Sequence, residues 1–168
     1  MELLASIRPE DVDPKSTRFD YATFTSRPAA RVILFDGDKV ALIYVSKHNY
    51  YMLPGGGIED EDVAAGLGRE ILEEVGCEAK IEHEVGSIEV YFDRWHQKQV
   101  DYCYTAQKIS SPDASARTEF EEEEGHQIVW AANLAEAIEL VEKAAPKERD
   151  GMLVRARDLL FLKTLAAK

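Results

Sequence analysis

The sequence predicts an α/β fold in which a mixed β-sheet lies between helices, and two observations support this prediction. Strand patterns occur on both sides of one amphipathic helical segment, and residues 126–168 hold one more strand pattern followed by two helical patterns. Strands in groups with single helices between them favour a mixed sheet that is covered on both faces. A length of 168 residues suits one such domain with a sizeable core.

The first 27 residues are predicted to form an N-terminal arm, and residues 28–168 form the domain itself. The arm has weak periodicity, and Pro9 and Pro14 interrupt it. Its pattern predicts at most one short strand, near Tyr21–Thr25.

Two strands rich in β-branched residues follow the arm, at residues 30–35 and 39–45. The Asp-Gly pair between them, at residues 36–37, is typical of a β-hairpin turn. A third short strand is predicted at Tyr50–Leu53, and it leads into a glycine-rich loop that begins at Pro54.

A helix is predicted to begin near residues 60–62, directly after the loop. Its apolar stripe has spacings of three and four residues, and Gly76 is typical of the residue that ends a helix. Gly66 and Gly68 are unusual, because each glycine inside a helix costs about 1 kcal/mol relative to alanine. Close backbone packing is the expected reason for both. The stripe consists of Ala64, Leu67, Ile71 and Val75.

Three acidic residues of the same helix lie on one face, offset from the apolar stripe: Glu70, Glu73 and Glu74. Like charges at this spacing repel each other and cost about 0.2–0.5 kcal/mol per pair. A divalent cation would reverse this cost, because hard cations prefer carboxylate oxygen. The three glutamates are therefore predicted to form a metal site.

The remaining chain predicts three more strands and two more helices. Two long strands are expected at residues 79–92 and 99–109 with a turn between them, and a final strand at residues 126–131. A period of two places Tyr102 and Tyr104 on one face and Cys103 on the other. The helices are expected at about residues 134–144, with Asn133 as the N-cap and Glu136 completing a capping box, and at residues 151–165.

The loop and the acidic helix together resemble the Nudix box, G-x5-E-x7-R-E-U-x-E-E-x-G-U, in which U is a bulky aliphatic residue. Cys77 takes the place of the last aliphatic residue. Aligning on Glu59 instead makes the loop one residue short. This leaves open whether Gly55 or Gly56 is the first glycine, and whether Glu61 or Asp62 is the loop acid. The matching residues are Gly55, Glu61, Arg69, Glu70, Ile71, Glu73, Glu74 and Gly76.

The resemblance implies a Nudix-type α/β/α sandwich and Mg²⁺-dependent hydrolysis of a pyrophosphate bond, with Mn²⁺ as an alternative cation. In this family the box arginine fixes the loop against the helix, so Arg69 is expected to point away from the metal cluster and pair with Glu59 or Glu61. One of residues 121–124, here Glu122, is a hypothetical further ligand or general base. The implied catalytic residues are Glu61, Arg69, Glu70, Glu73 and Glu74, and the implied metal ligands are Gly55, Glu70, Glu73, Glu74 and Glu122.

Substrate recognition is predicted from residue types alone. Glycine lets backbone groups approach a phosphate or a metal without a Cβ in the way. Arg27, Arg31 and Lys47 flank the hairpin and can meet phosphate, although a surface role is an equal alternative. Trp95 lies in a predicted turn, where it can contact a base. The candidates for substrate binding are Gly55, Gly56, Gly57, Arg31 and Trp95.

Motifs of the family subgroups give only a weak preference between substrates. The chain has no S-Q-P-W-P-F-P-like array, and Phe92 and Asp93 stand where many ADP-ribose-cleaving members have a proline. These differences favour a nucleoside triphosphate or a related small nucleotide. The alternatives are a hydrolase of nucleotide sugars, ADP-ribose or dinucleoside polyphosphates, a nucleotide-sensing module without activity, and an isomerase that uses Cys103.

Composition and sequence patterns limit the expected binding partners and the expected cellular compartment. A net charge of −12 argues against binding to nucleic acid and to anionic membranes, both of which need a basic surface. No segment approaches the ~20 apolar residues of a membrane span, and no signal-peptide pattern is present. Cys77 and Cys103 are expected to be buried thiols in a reducing compartment. The expectation is a cytoplasmic protein that binds a small nucleotide, with a homodimer as an option because dimers are common in the family.

Overall fold

The computed structural model describes residues 1–58, 62–110 and 122–168, which form a seven-stranded mixed sheet with helices on both faces. The predicted α/β sandwich is therefore confirmed. The strands are β1 (Leu3–Ile7), β2 (Thr25–Asp36), β3 (Lys39–Val45), β4 (Tyr50–Met52), β5 (Glu78–Phe92), β6 (Gln97–Ser110) and β7 (His126–Ala131). The helices are α1 (Pro9–Val12), α2 (Val63–Val75), α3 (Leu134–Lys143) and α4 (Arg149–Ala166).

The strands follow the order β1-β5-β6-β2-β3-β4, and β7 pairs with β3. The pairs β1–β5 and β2–β6 are parallel, whereas the other pairs are antiparallel. In the long β2–β6 pair, Ala29 lies opposite Asp101 and Arg31 lies opposite Cys103. This register brings the polar end of β6 next to the part of β2 that adjoins the glycine loop.

The sheet separates two apolar clusters, because successive side chains of a strand point to opposite faces. Helix α2 covers one face with Leu67, Ile71 and Val75. Helices α3 and α4 cover the other face, and their buried residues are Ala137, Val141, Leu153, Phe161 and Leu162. Cys103 belongs to the α4 side, whereas Tyr102 and Tyr104 pack on the α2 side, as predicted.

The glycine loop lies along β2 because β2 and β3 pair only next to their turn. The N–H of Val32 donates to the carbonyl of Pro54 at 3.0 Å, and the N–H of Ala30 donates to the carbonyl of Gly56 at 2.9 Å. The N–H of Ile58 donates to the carbonyl of Pro28 at 3.1 Å. Backbone hydrogen bonds thus hold the loop on a central strand of the sheet.

The N-terminal region differs from its prediction. The strand expected near Tyr21–Thr25 is wrong, because residues 21–23 form a 3₁₀ turn in which Tyr21 packs against Phe24 and Tyr91. Strand β1, which pairs in parallel with residues 87–90 of β5, was not predicted. The partner lies some eighty residues away, so local periodicity contains no signal for this strand.

Helix α2 begins at Val63 and ends where predicted. Gly76 has a φ of 73°, the left-handed conformation that favours glycine, and its N–H donates to the carbonyls of Ile71 and Leu72. The predicted stripe is confirmed except at Ala64, which is exposed, while Val63 packs against the core.

Replacement of Gly68 by alanine is expected to raise the free energy of unfolding by about 1 kcal/mol, since alanine is the better residue inside a helix. Gly68 is exposed, and a Cβ built there has no neighbour within 4 Å in the described structure, so the close packing expected at this position is not observed. Urea denaturation of the two proteins measures the difference. A lower stability in the variant would contradict the prediction.

The C-terminal third agrees with the sequence reading in its elements. Asn133 caps α3 by accepting a hydrogen bond from the N–H of Glu136 at 2.9 Å. The carboxylate of Glu136 accepts from the N–H of Ala132 rather than from that of Asn133, so the predicted capping box is only half formed. Both cysteines are free and buried, as expected. None of the described helices has the length and apolar character needed to cross a membrane.

Candidate active site

The three predicted metal-binding glutamates share one side of α2, which meets the glycine loop through Glu70 and Glu74, but they differ in exposure. Glu74 is buried and 4% exposed. The side chains of Glu70 and Glu73 are 15% and 39% exposed. Exposure on this face of α2 therefore increases from Glu74, which is buried, through Glu70 to Glu73.

Glu74 joins the helix to the loop. Its Oε2 accepts a hydrogen bond of 2.7 Å from the N–H of Gly55. Gly55 has a φ of 135°, and a Cβ at this position would overlap the backbone carbonyl of Ala30. Only glycine meets both conditions without strain, so the geometry of the loop requires glycine at position 55.

Replacement of Gly55 by alanine is expected to lower the free energy of unfolding by about 2–3 kcal/mol, from backbone strain and loss of the buried bond to Glu74. Gly37→Ala is the matched control, because Gly37 also has a positive φ but no described neighbour within 4 Å of an added Cβ. Thermal and urea denaturation of both variants measure the difference. Equal losses in the two variants would contradict the role of the close approach at Gly55.

Gly56 lies against Glu70. A Cβ on Gly56 would overlap the carboxylate of Glu70, so the loop backbone and this acid are in direct proximity. Burial raises the pKa of Glu70, whereas the charge of Arg69 acts in the opposite direction. The ionised form of Glu70 is therefore disfavoured on balance, which a nearby cation would offset.

Arg69 does not point away from the acidic cluster, which corrects the prediction. Its Nη1 lies 2.8 Å from Oε1 of Glu70 and 3.4 Å from Oε2 of Glu73. The predicted loop partners Glu59 and Glu61 lie outside the described residues. In the part of the chain that the structure describes, Arg69 thus neutralises part of the charge on two of the three acids.

The described residues include no group of three acidic, histidine or cysteine side chains that is already arranged to hold a metal ion. The donors are nevertheless of the type that Mg²⁺ prefers, namely carboxylate oxygens next to backbone carbonyls. Glu70 and Glu73 pair with Arg69, and Glu74 pairs with Gly55. The residues therefore fit a hard cation in chemistry, provided that Glu70 and Glu73 turn from Arg69.

Arg31 is largely buried, with 11% of its side chain exposed. Its Nε lies 2.9 Å from the buried carboxylate of Asp101, and its Nη1 donates to the carbonyl of Gly55. Asp101 also pairs with Arg157 of α4, which in turn pairs with Asp158. The sequence reading singled out neither Asp101 nor Arg157 and Asp158, since charged residues in a strand and a helix are ordinarily solvent-exposed.

A cavity of about 430 Å³ lies beside the loop. Arg27 connects the two, because a Cβ on Gly57 would overlap its guanidinium group. Trp95 is 61% exposed, and the guanidinium of Arg94 lies 4.9 Å from its ring centre. The cavity is lined by Arg27, Phe92, Trp95, Gln97 and Gln99. A larger groove of about 650 Å³, between α1 and α4, contains none of the box residues.

Glu124 and Gly125, which follow the candidate Glu122, lie against the turn between β3 and β4. Glu124 pairs with Lys47 and His48, and the carbonyl of Gly125 accepts from Ser46. Among the described residues, no hydrogen bond or ion pair joins Glu122 to the acids of α2. A role for Glu122 in metal binding stays a prediction, and Glu121 lies outside the described residues.

Comparison with known proteins identifies the family and agrees with the fold. The family model of the NUDIX domain matches residues 25–152. The chain therefore belongs to the Nudix family of hydrolases. No relative was found among curated protein sequences.

Solved structures with the same fold share little sequence with this chain. A NUDIX hydrolase from Nitrosomonas europaea has 16% identity and a TM-score of 0.62, over 85% of this chain and 90% of its own. The ORF135 protein of E. coli has 18% identity and a TM-score of 0.61, over 87% and 92%. A UDP-X diphosphatase has 14% identity and a TM-score of 0.56, over 94% and 68%.

Proposed function

We propose that the protein hydrolyses a pyrophosphate bond in a nucleoside diphosphate-linked substrate with the aid of Mg²⁺, and that the substrate is a nucleoside triphosphate or a related small nucleotide. One observation carries the proposal. The carboxylates of Glu70 and Glu74 lie directly against the backbone of Gly55 and Gly56, with Glu73 beside them on the same helix. Carboxylate oxygens grouped at a glycine loop suit the binding of a hard cation that also contacts a phosphate of the substrate.

The chemistry follows from these residues. Glu70, Glu73 and Glu74 would hold the cation, and the carbonyl of Gly55 is a further donor of the right type. The bound cation would neutralise phosphate charge, lower the pKa of the attacking water and orient it. Arg69 would release Glu70 and Glu73 for this, and its guanidinium would hold the loop against the helix. The general base is proposed to be one of residues 121–124, with a glutamate of the box as the alternative.

The cavity beside the loop supports a nucleotide as the substrate. The exposed ring of Trp95 offers a surface on which a base can stack. Arg27 lies between this cavity and Gly57. A nucleotide with its base in the cavity and its pyrophosphate at the metal would have a phosphate beside Arg27. An arginine thus lies between an aromatic surface and an acidic metal site. This arrangement suits a molecule that has a base at one end and a pyrophosphate at the other.

A turnover screen tests the proposal. The protein is incubated with Mg²⁺, with Mn²⁺ and with EDTA, and the products are separated by chromatography. The panel contains nucleoside and deoxynucleoside triphosphates, nucleotide sugars, ADP-ribose and dinucleoside polyphosphates, because one similar structure is named a UDP-X diphosphatase. Cleavage that stops with EDTA supports the proposal. Nucleotide binding without cleavage of any compound would support the sensing module instead.

Replacement of Trp95 by alanine is expected to raise KM about tenfold and to change kcat less, since base–aromatic stacking contributes about 1–3 kcal/mol per base. Trp95→Phe should retain most of the affinity, because it keeps a flat ring. The control is Ile109→Ala, which truncates another exposed apolar side chain, on β6 and outside the cavity. Steady-state kinetics with the best substrate measure both constants. An unchanged KM in Trp95→Ala would remove Trp95 from the binding site.

A further inference from the structure

Helix α4 contacts the glycine loop through a pair of adjacent charged residues in the protein interior. Arg157 and Asp158 are 1% and 0% exposed. Oδ2 of Asp158 accepts a hydrogen bond of 2.9 Å from the N–H of Leu53, the residue before the loop. The helix that covers one face of the sheet is thus bonded to the start of the loop that faces α2.

A second connection runs from Arg157 of the same pair to Gly55 of the loop. Nη1 of Arg157 lies 3.3 Å from Asp101, which binds Nε of Arg31 at 2.9 Å. Nη1 of Arg31 donates to the carbonyl of Gly55. Gln99 completes the group by donating from its Nε2 to both oxygens of Asp101 at 2.9 Å. The buried ion network, defined as Arg31, Asp101, Arg157 and Asp158, therefore holds both ends of residues 53–55.

Stability alone does not explain this arrangement. Ion pairs in a protein interior pay a large desolvation cost, and apolar residues of similar volume often stabilise a protein as well or better. Directed hydrogen bonds, in contrast, fix the orientation of a peptide group. The carbonyl of Gly55 is held by Arg31 and its N–H by Glu74. Since a carbonyl oxygen has two lone pairs, the bond from Arg31 leaves one for a cation.

We propose that Asp101 and Arg157 are positioning residues for the metal site, because through Arg31 they hold Gly55 in the orientation that Glu74 and a divalent cation require. The inference rests on the proposed function, since it concerns the affinity of the same site. Neither residue touches the cation or the substrate. Their removal should weaken metal binding through a loosened loop.

The test compares Asp101→Asn and Arg31→Lys with the wild type. Arg31→Lys keeps a positive charge near Asp101 but loses the fork that reaches Asp101 and Gly55 at once. Affinity for Mn²⁺ is measured without substrate by electron paramagnetic resonance, and hydrogen exchange is measured for the peptide that covers residues 53–58. Val141→Ala is the control, because Val141 is a buried core residue of α3 outside the network.

We expect Mn²⁺ binding at least tenfold weaker and faster loop exchange in both network variants, and neither change in Val141→Ala at a temperature where all proteins are folded. Wild-type affinity for Mn²⁺ in folded Asp101→Asn and Arg31→Lys would overturn the inference and leave the proposed function intact. If Asp101→Asn fails to fold, Arg31→Lys alone decides. A wild type that neither binds Mn²⁺ nor cleaves any substrate would overturn the proposed function and, with it, the positioning role.

Discussion

Replacement of Glu73 by glutamine is expected to lower kcat at least ~100-fold, since even the residues that merely orient a metal ligand contribute 10–100-fold. Glu73 is the best of the three acids for this test. Its side chain is 39% exposed, and its described partner is Arg69 at 3.4 Å. Glu74, in contrast, is buried and bonds to Gly55, so its replacement would also disturb the loop. A change in kcat without a change in melting temperature therefore reports on the site.

The control for this variant is Glu139→Gln. Glu139 is an exposed glutamate that pairs with Lys143 on α3, on the opposite face of the sheet from α2. Its replacement should leave kcat unchanged. The two variants are assayed with the best substrate of the screen over a range of Mg²⁺ concentrations. Full activity of Glu73→Gln at all concentrations would show that Glu73 is not a metal ligand needed for turnover.

Replacement of Arg157 by methionine is expected to lower the free energy of unfolding by about 3–5 kcal/mol, the usual cost of breaking a buried ion pair from one side. Burial by itself would raise the pKa of Asp101, but the charges of Arg157 and Arg31 hold that pKa below its ordinary value. Without Arg157, two carboxylates stay in the interior with fewer partners. Methionine fills a similar volume, so a cavity does not account for the loss.

The matched control is Lys143→Met. Lys143 forms an exposed pair with Glu139 one helical turn away, and such pairs contribute about 0.3–0.5 kcal/mol. Urea denaturation of both variants near pH 7 measures the difference. A loss below ~1 kcal/mol in Arg157→Met would mean that water or neighbouring groups solvate the remaining carboxylates.

The depressed pKa of Asp101 also has a consequence for pH. A carboxyl group whose pKa is lower in the folded state contributes stability above its unfolded pKa, and this contribution is lost as the pH falls through the folded value. The ionised carboxylate of Asp101 therefore contributes stability at neutral pH, and this contribution is lost as the pH falls through the lowered pKa of Asp101. This is consistent with a site that works with ionised carboxylates.

Features that depend on short spacings between residues were predicted correctly from the sequence alone. The positions of Glu70, Glu73 and Glu74 on one face of α2 follow from the helical period, and the hairpin at residues 36–37 follows from its turn residues. Gly76 and Asn133 end and begin their helices as predicted. Each of these features is encoded within a few residues, where the backbone geometry leaves few alternatives.

Contacts between residues that are distant in the chain depend on the tertiary structure and were not predicted from the sequence. Strand β1 has its partner some eighty residues away, and Arg31 meets Asp101 only because β2 and β6 run in parallel. Arg157 would be an ordinary solvent-exposed arginine on an isolated helix. It is buried instead because α4 packs on the sheet and places it beside Asp101.

The acidic helix and the glycine loop were thus determined by the sequence itself, together with the family to which they belong. The tertiary structure decided how Arg69 is engaged, how Gly55 is held from both faces of the sheet, and which residues line the cavity near Trp95. The reason is physical. A motif fixes the order of donors along one helix, whereas orientation and access depend on contacts that form only when separate elements pack together.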